Sequence, residues 1–144
     1  LESFATIIDM SGLTLTRFKQ PEILIVDDDP DIQTALRDLL ESEGYAVTDA
    51  ATCREALFHT QTVPFDAVLL DIGLPDGDGL SVLKHLKNSI PFLPVIMLTA
   101  TTTAELRAES LAQGAFSFLP KPYNHNEIRV LVRQAINVTV NPVL

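Results

Sequence analysis

Three stretches of this chain are apolar on consecutive residues rather than alternate ones: ILIV within EILIV (22–26), AVLL (67–70) and VIML (95–98). A strand that is apolar on both faces must be covered on both faces, as in a parallel sheet flanked by helices. FSFL (116–119), broken by Ser117, is a fourth short apolar run, and YAVTDA (45–50) is a weaker fifth. This feature constrains the fold more than any other, because it calls for a buried sheet with layers on either side.

The intervening segments have helical period. In DPDIQTALRDLLESEG, residues Ile32, Ala35, Leu36, Leu39 and Leu40 fall at i, i+3, i+4, i+7 and i+8. Asp29 is a good N-cap there, Pro30 suits the first turn, and Gly44 can end the helix. Thr52 with Glu55, and Thr102 with Glu105, make capping-box patterns, and Gly114 is a plausible stop for the latter helix. GLSVLKHLKN (79–88) is another helix candidate. In the last segment Ile128, Leu131, Val132, Ala135 and Ile136 mark one face of a helix that opens near Asn124 or Asn126.

Strands and helices thus alternate five times, which predicts an α/β fold: a doubly wound parallel sheet with right-handed crossovers. At 144 residues the chain has room for one such domain, placed at 21–137. Residues 1–20, interrupted by Gly12, stand outside the alternation and read as a flanking segment, linker or appended stretch. Residues 138–144 read as the start of a linker or C-terminal tail, because Pro142 would stop any helix.

Composition narrows the function classes. A net charge of −9 and a pI near 4.6 argue against direct nucleic-acid binding and against anionic membrane surfaces. Cys53 is the only cysteine, so neither an intrachain disulfide nor a thiolate cluster is available. No run approaches the ~20 apolar residues of a membrane span. The N-terminus lacks the basic start and apolar core of a signal peptide. The expectation is a soluble cytoplasmic domain.

Ligands in open α/β sheets sit outside the carboxyl ends of the strands. Here those ends carry Asp27-Asp28-Asp29, then Asp71, then Thr99-Ala100, then Lys121-Pro122. One rim therefore collects four carboxylates, a hydroxyl and a lysine from four distant places in the sequence. Two carboxylates ~5 Å apart at an effective dielectric of ~20 repel by roughly 3 kcal/mol, so the cluster calls for a cation. Oxygen donors without His or Cys suit a hard ion, Mg²⁺ above all. Lys121 adds a compact positive charge and Thr99 a hydroxyl. These are parts of a phosphoryl-binding site, and a carboxylate can itself be the nucleophile.

Taken together, ILIVDDDPDI, VLLDIGLPDGDGL, PVIMLTA and GAFSFLPKPY resemble the receiver domain of two-component response regulators. The resemblance spans about residues 21–137 and keeps order and spacing throughout. It implies the CheY-like (flavodoxin-like) sheet of five strands in order 2-1-3-4-5, flanked by five helices, an arrangement that is a worked example of the switch-point rule. It also implies Asp71 as phosphoacceptor, and Mg²⁺ held by Asp27, Asp28, Asp71 and the backbone carbonyl of Gly73. Thr99, the Ala100 backbone and Lys121 would bind the phosphoryl group. Thr99 and Phe118 would be the switch pair, with phenylalanine in place of the family's frequent tyrosine. The Lys121-Pro122 bond would be cis. Gly73 and Thr101 stand at the positions that tune phospho-lifetime.

The partner implied is a histidine kinase or histidine phosphotransfer protein, and a homodimer through the last two helices and last strand is a further expectation. The output implied is transcription regulation, with a hybrid sensor histidine kinase as the alternative context. GAFSFLPKPY lacks the acidic residues that many winged-helix regulators carry before the lysine, which leans towards another output class.

The competing readings are weaker. An aspartate-nucleophile phosphatase of the haloacid dehalogenase type wants D-x-D-x-[TV]; Asp27 and Asp29 fit, but Asp31 occupies the last position. A pseudo-receiver would usually have lost the acceptor, the acidic pair or the lysine. A calcium loop starting at Asp71 fails at Asp76 and Val82, and no G-x-G-x-x-G follows the first strand. His59, His85 and His125 are not at metal spacing, and Cys53 reads as a helix-packing residue.

Overall fold

The five apolar runs are the five strands of one parallel sheet in the computed structural model, which describes residues 2–9, 12–101 and 103–140, with side chains from 20 to 138 apart from 102. The strands are β1 (Glu22–Val26), β2 (Ala46–Ala50), β3 (Ala67–Asp71), β4 (Val95–Thr99) and β5 (Ser117–Pro120). Their spatial order is β2-β1-β3-β4-β5, as the resemblance implies. All four pairings are parallel, with Ile23 opposite Val47 and Ala67, Leu70 opposite Met97, and Thr99 opposite Pro120. The chain order reverses between β1 and β3, so the rim above those two strands is the switch point where ligands bind.

Five helices cover the sheet: α1 (Pro30–Ser42), α2 (Cys53–Thr62), α3 (Gly79–Ser89), α4 (Ala104–Ala112) and α5 (His125–Val140). Strand side chains alternate between two cores. Leu24, Val26, Val68, Leu70, Val95 and Met97 join Ala56 of α2 and Val82, Leu83 and Leu86 of α3. On the opposite face, Ile23, Ile25, Leu69, Ile96 and Leu98 join Leu36 and Leu40 of α1 and Ile128, Val132 and Ala135 of α5. Every residue of β3 and β4 is buried, as expected of central strands with helices on both sides. The edge strand β2 is half-buried except at Ala50.

Local chemistry sets the helix ends. Asp29 caps α1 by accepting from the Asp31 N–H (2.9 Å), with Pro30 in the first turn. Thr52 caps α2 through the Glu55 N–H (3.1 Å). Asn124 and Glu127 form a reciprocal capping box at α5. Gly44 and Gly114 follow α1 and α4 at φ of +92° and +98°, a conformation that favours glycine.

Three findings differ from the sequence reading. The cap of α4 is Thr103, whose hydroxyl accepts from the Leu106 N–H; Thr102 lies outside the described residues. Helix α5 continues to Val140, past the expected boundary at 137. Residues Glu2–Asp9 and Gly12–Lys19, read from the sequence as a flanking segment, linker or appended stretch, pair as an antiparallel two-stranded ribbon, with Asp9 opposite Gly12.

Candidate functional site

Strand register brings the site together. Asp27 follows β1, and its N–H donates to the Ala50 carbonyl (3.0 Å), which carries the parallel ladder one step beyond the strand. Asp71 ends β3 and Thr99 ends β4. Lys121 follows β5, and its N–H donates to the Thr99 carbonyl (2.7 Å). Parallel strands end on the same side of the sheet, so four separated stretches deliver their polar residues to one rim.

Asp27 is 1% exposed, Asp71 8% and Thr99 3%, which makes them three of the four buried polar residues among the described ones. Buried charges persist when paired and hydrogen-bonded. Lys121 Nζ donates to Asp27 Oδ2 (3.1 Å) and to Asp71 Oδ2 (3.3 Å). The other Asp27 oxygen accepts from the Asp29 N–H (2.9 Å), and the other Asp71 oxygen from the Gly73 N–H (3.3 Å). Asp28 is exposed, and it presents a carboxylate oxygen to the same place. One oxygen each from Asp27, Asp28 and Asp71 lies within 4.8 Å of the other two.

This donor set fits a hard divalent cation. All three ligand atoms are carboxylate oxygens, the residues come from two rigid strand ends, and one lysine does not neutralise three carboxylates. Burial is the main influence pushing the Asp71 carboxyl above its ordinary range; Lys121 opposes that and Asp27 adds to it. Burial alone would lower the Lys121 ammonium, but its bonds to Asp27 and Asp71 outweigh it, and the net direction is upward.

Thr99 Oγ1 accepts from the Thr101 N–H (3.0 Å). Its hydroxyl hydrogen is not used in that bond and is free to donate elsewhere. Phe118 is buried within β5, and the Arg107 guanidinium of α4 stands 5.9 Å from its ring centroid. Phe116, two residues earlier, is half-buried and packs on the opposite face. The Lys121-Pro122 bond is cis. Gly73 and Ala100 are exposed beside Asp71 and Thr99, and Thr101 is exposed as well. Asp27, Asp28, Asp71, Gly73, Thr99, Ala100 and Lys121 therefore stand on or next to one rim, whereas Phe118 lies in the core below it, opposite Met97. His59, His85 and His125 lie outside the acidic cluster.

Other residues shape the site without a sequence signal strong enough to have picked them out. Gln33, on the first turns of α1, donates its amide to the Asp27 carbonyl (2.6 Å). Gly79 opens α3 against the end of β3, where a Cβ would lie 2.5 Å from the Asp71 carbonyl oxygen and 2.6 Å from Ile72 Cα. Its signal was the glycine repeated in DGDG. An apolar groove of about 560 Å³ opens beside Lys121, walled by Ile32, Ala35 and Leu36 of α1 and by Pro122 and Tyr123.

Comparison with known proteins agrees with this architecture. The DNA-binding transcriptional regulator NtrC of Klebsiella pneumoniae is 39% identical over 113 residues, covering 78% of this chain and 24% of that protein. The NtrX-like response regulator of Rickettsia bellii (strain RML369-C) is 34% identical over 120 residues, covering 82% of this chain and 25% of that protein. The chain thus spans about a quarter of the length of the curated relatives it matches. The crystal structure of a CheY-like response regulator receiver domain protein from Methanospirillum hungatei JF-1 superposes with a TM-score of 0.83 at 32% identity, covering 87% of this chain and all of that one. The solution structure of the beryllofluoride-activated NtrC4 receiver domain dimer gives 0.77 at 31% identity, over 81% of this chain and 96% of that one. Residues 23–133 match the family described as the response regulator receiver domain, and the chain belongs to that family.

Proposed function

We propose that this domain is a phosphorylation-activated switch in which Asp71 accepts a phosphoryl group from a phosphohistidine on a histidine kinase or phosphotransfer protein. The observation that carries the reading is the convergence of Asp27, Asp28, Asp71 and Lys121 at one rim. Asp27, Asp28, Asp71 and the Gly73 carbonyl would hold Mg²⁺. When bound, the ion supplies positive charge to the phosphoryl oxygens and to the carboxylates around it.

The chain's own residues do the rest. Lys121 is paired with Asp71 and favours its carboxylate form against the effect of burial, and a carboxylate oxygen can act as nucleophile. That oxygen forms a bond to phosphorus as the phosphorus–nitrogen bond to the donor imidazole breaks, and the electron pair leaves with the ring. Lys121 then holds a phosphoryl oxygen, together with the Ala100 N–H and the Thr99 hydroxyl. Movement of Thr99 towards that group would reach Phe118 and α4 through β4 and β5, which gives the switch its second packing. Water attacking the acyl phosphate resets it. No catalysis beyond this self-phosphorylation and its reversal is assigned.

The groove beside Lys121 is the proposed docking place of the phosphodonor, since it borders the acceptor and offers apolar walls. A homodimer through α4, β5 and α5 is supported by the exposed Leu111 and Val130 on those helices and by the dimeric NtrC4 receiver domain. Similarity to NtrC supports transcription regulation as the output, exerted by another part of a longer protein in the cytoplasm. Among the described residues, no helix is long and apolar enough to cross a membrane.

Phosphoramidate, a small donor with a phosphorus–nitrogen bond, tests the acceptor. Incubation with Mg²⁺ followed by peptide mapping should place one labile phosphoryl group on the peptide containing Asp71. A stable adduct on another residue would overturn the assignment.

A further inference from the structure

Asp76 sits in the loop between β3 and α3, yet its carboxylate is engaged by a different element. Its Oδ1 accepts from the Cys53 N–H (2.7 Å) and its Oδ2 from the Arg54 N–H (3.1 Å), at the first two residues of α2. Helix-start N–H groups lack intrahelical partners. Thr52 satisfies the Glu55 N–H, so Thr52 and Asp76 share the cap of α2 between them. Gly77 completes the contact, since a Cβ there would lie 3.0 Å from Cys53 Sγ.

The same loop carries Gly73. It is folded on itself by the pairs Gly73–Asp78 and Leu74–Gly77, and the Gly79 N–H closes it onto the Ile72 carbonyl (2.8 Å). Two residues per strand make a weak ribbon on their own. Asp76 ties the far end of that ribbon to a helix packed on the sheet. Both bonds are charge-assisted and come from adjacent amides, so the carboxylate is held in orientation as well as in place.

We propose that Asp76 is a positioning residue for the metal-binding loop: its two-point grip on the start of α2 fixes the Gly73 peptide against Asp71. The inference rests on the reading of Asp71 as acceptor and of Gly73 as carbonyl donor. Asp76 touches none of the reacting atoms and acts through the loop.

The test compares wild type with Asp76→Ala and Asp76→Asn. One readout is the Mg²⁺ concentration giving half-maximal phosphorylation by acetyl phosphate. The other is amide hydrogen exchange at Gly73 in EDTA. Asp76→Ala should raise both the Mg²⁺ half-point and the Gly73 exchange rate by about fivefold, the scale of losing one helix-capping side chain. The rate at saturating Mg²⁺ should stay within about twofold of wild type. Asp76→Asn, which keeps one acceptor oxygen, should fall between. Wild-type values of both readouts in the alanine variant would overturn the proposal, even if its melting temperature fell. If wild type itself takes no phosphoryl group, the Asp71 reading fails, and Gly73 exchange alone decides the role of Asp76.

Discussion

Asp28→Asn should stabilise the metal-free protein while weakening its response to Mg²⁺. Asp28 is exposed, and its carboxylate lies within 4.8 Å of oxygens of Asp27 and Asp71. Two unit charges at that distance repel by about 0.9 kcal/mol at the dielectric constant of water and by about 3.5 kcal/mol at an effective value of 20. Exposure puts Asp28 nearer the first figure. Two such neighbours give about 2 kcal/mol, and Lys121, bonded to both of them, cancels about half, leaving about 1 kcal/mol at low ionic strength. For a domain of this size that corresponds to a melting shift of about 4 °C. Calorimetric melts of both proteins in EDTA at low salt read it directly. The variant should melt higher, and the gap should shrink in 0.5 M salt, where the Debye length falls to about 4 Å. Millimolar Mg²⁺ should raise the wild type more than the variant. Coincident melts in low-salt EDTA, together with a wild type indifferent to Mg²⁺, would show that the three carboxylates are not a cation site.

Further outcomes follow from the same geometry. Gly79→Ala should destabilise by about 2 kcal/mol in urea melts, because overpacking against the Asp71 carbonyl exceeds the gain in helix propensity of up to about 1 kcal/mol; unchanged stability would mean that α3 starts farther from β3 than described. Lys121→Met should cost about 2–4 kcal/mol in EDTA, since it leaves the buried Asp27 beside Asp71 without its cation, and Mg²⁺ should restore part of that loss. Burial raises the Asp71 pKa in the folded protein, so its contribution to stability is greatest below its unfolded value near 3.8 and is lost as pH rises through the folded one. Asp71→Asn, which has no charge to desolvate, should therefore be more stable than wild type in EDTA at pH 7, and the gap should narrow as pH falls towards 4; a gap independent of pH would contradict the shift. Lys121, raised by Asp27 and Asp71 against its burial, contributes stability that is full below about pH 10.5 and lost above its folded pKa, so alkaline melts of wild type and Lys121→Met should converge.

The sheet was legible because burial on both faces leaves an unbroken apolar run, and because Asp29-Pro30, Thr52 and Asn124 cap where capping chemistry predicts. The rim was legible because polar residues follow the apolar runs at once, and parallel order puts all those ends on one side. Less legible were features set by contacts between distant segments. At α4 two adjacent threonines could each cap in the sequence, and the cap is Thr103. The extension of α5 to Val140 runs through three consecutive β-branched residues, Val138, Thr139 and Val140, which read as the start of a linker. In GLTLTRFK the alternation of Leu13 and Leu15 with Thr14 and Thr16 was a usable strand signal, outweighed by reading Gly12 as an interruption rather than the start of a returning strand. Asp76 and Gln33 had no local signature, because the backbone groups they engage lie 22–23 and 6 residues away in the chain.

The central claim is that Asp71 is a Mg²⁺-dependent phosphoacceptor. Intact-mass analysis after incubation with acetyl phosphate and Mg²⁺, repeated with Asp71→Asn and with EDTA, tests it most directly. The wild type should carry a single labile phosphoryl adduct that is absent from both controls. An unmodified wild type, or an adduct that persists in Asp71→Asn, would contradict it.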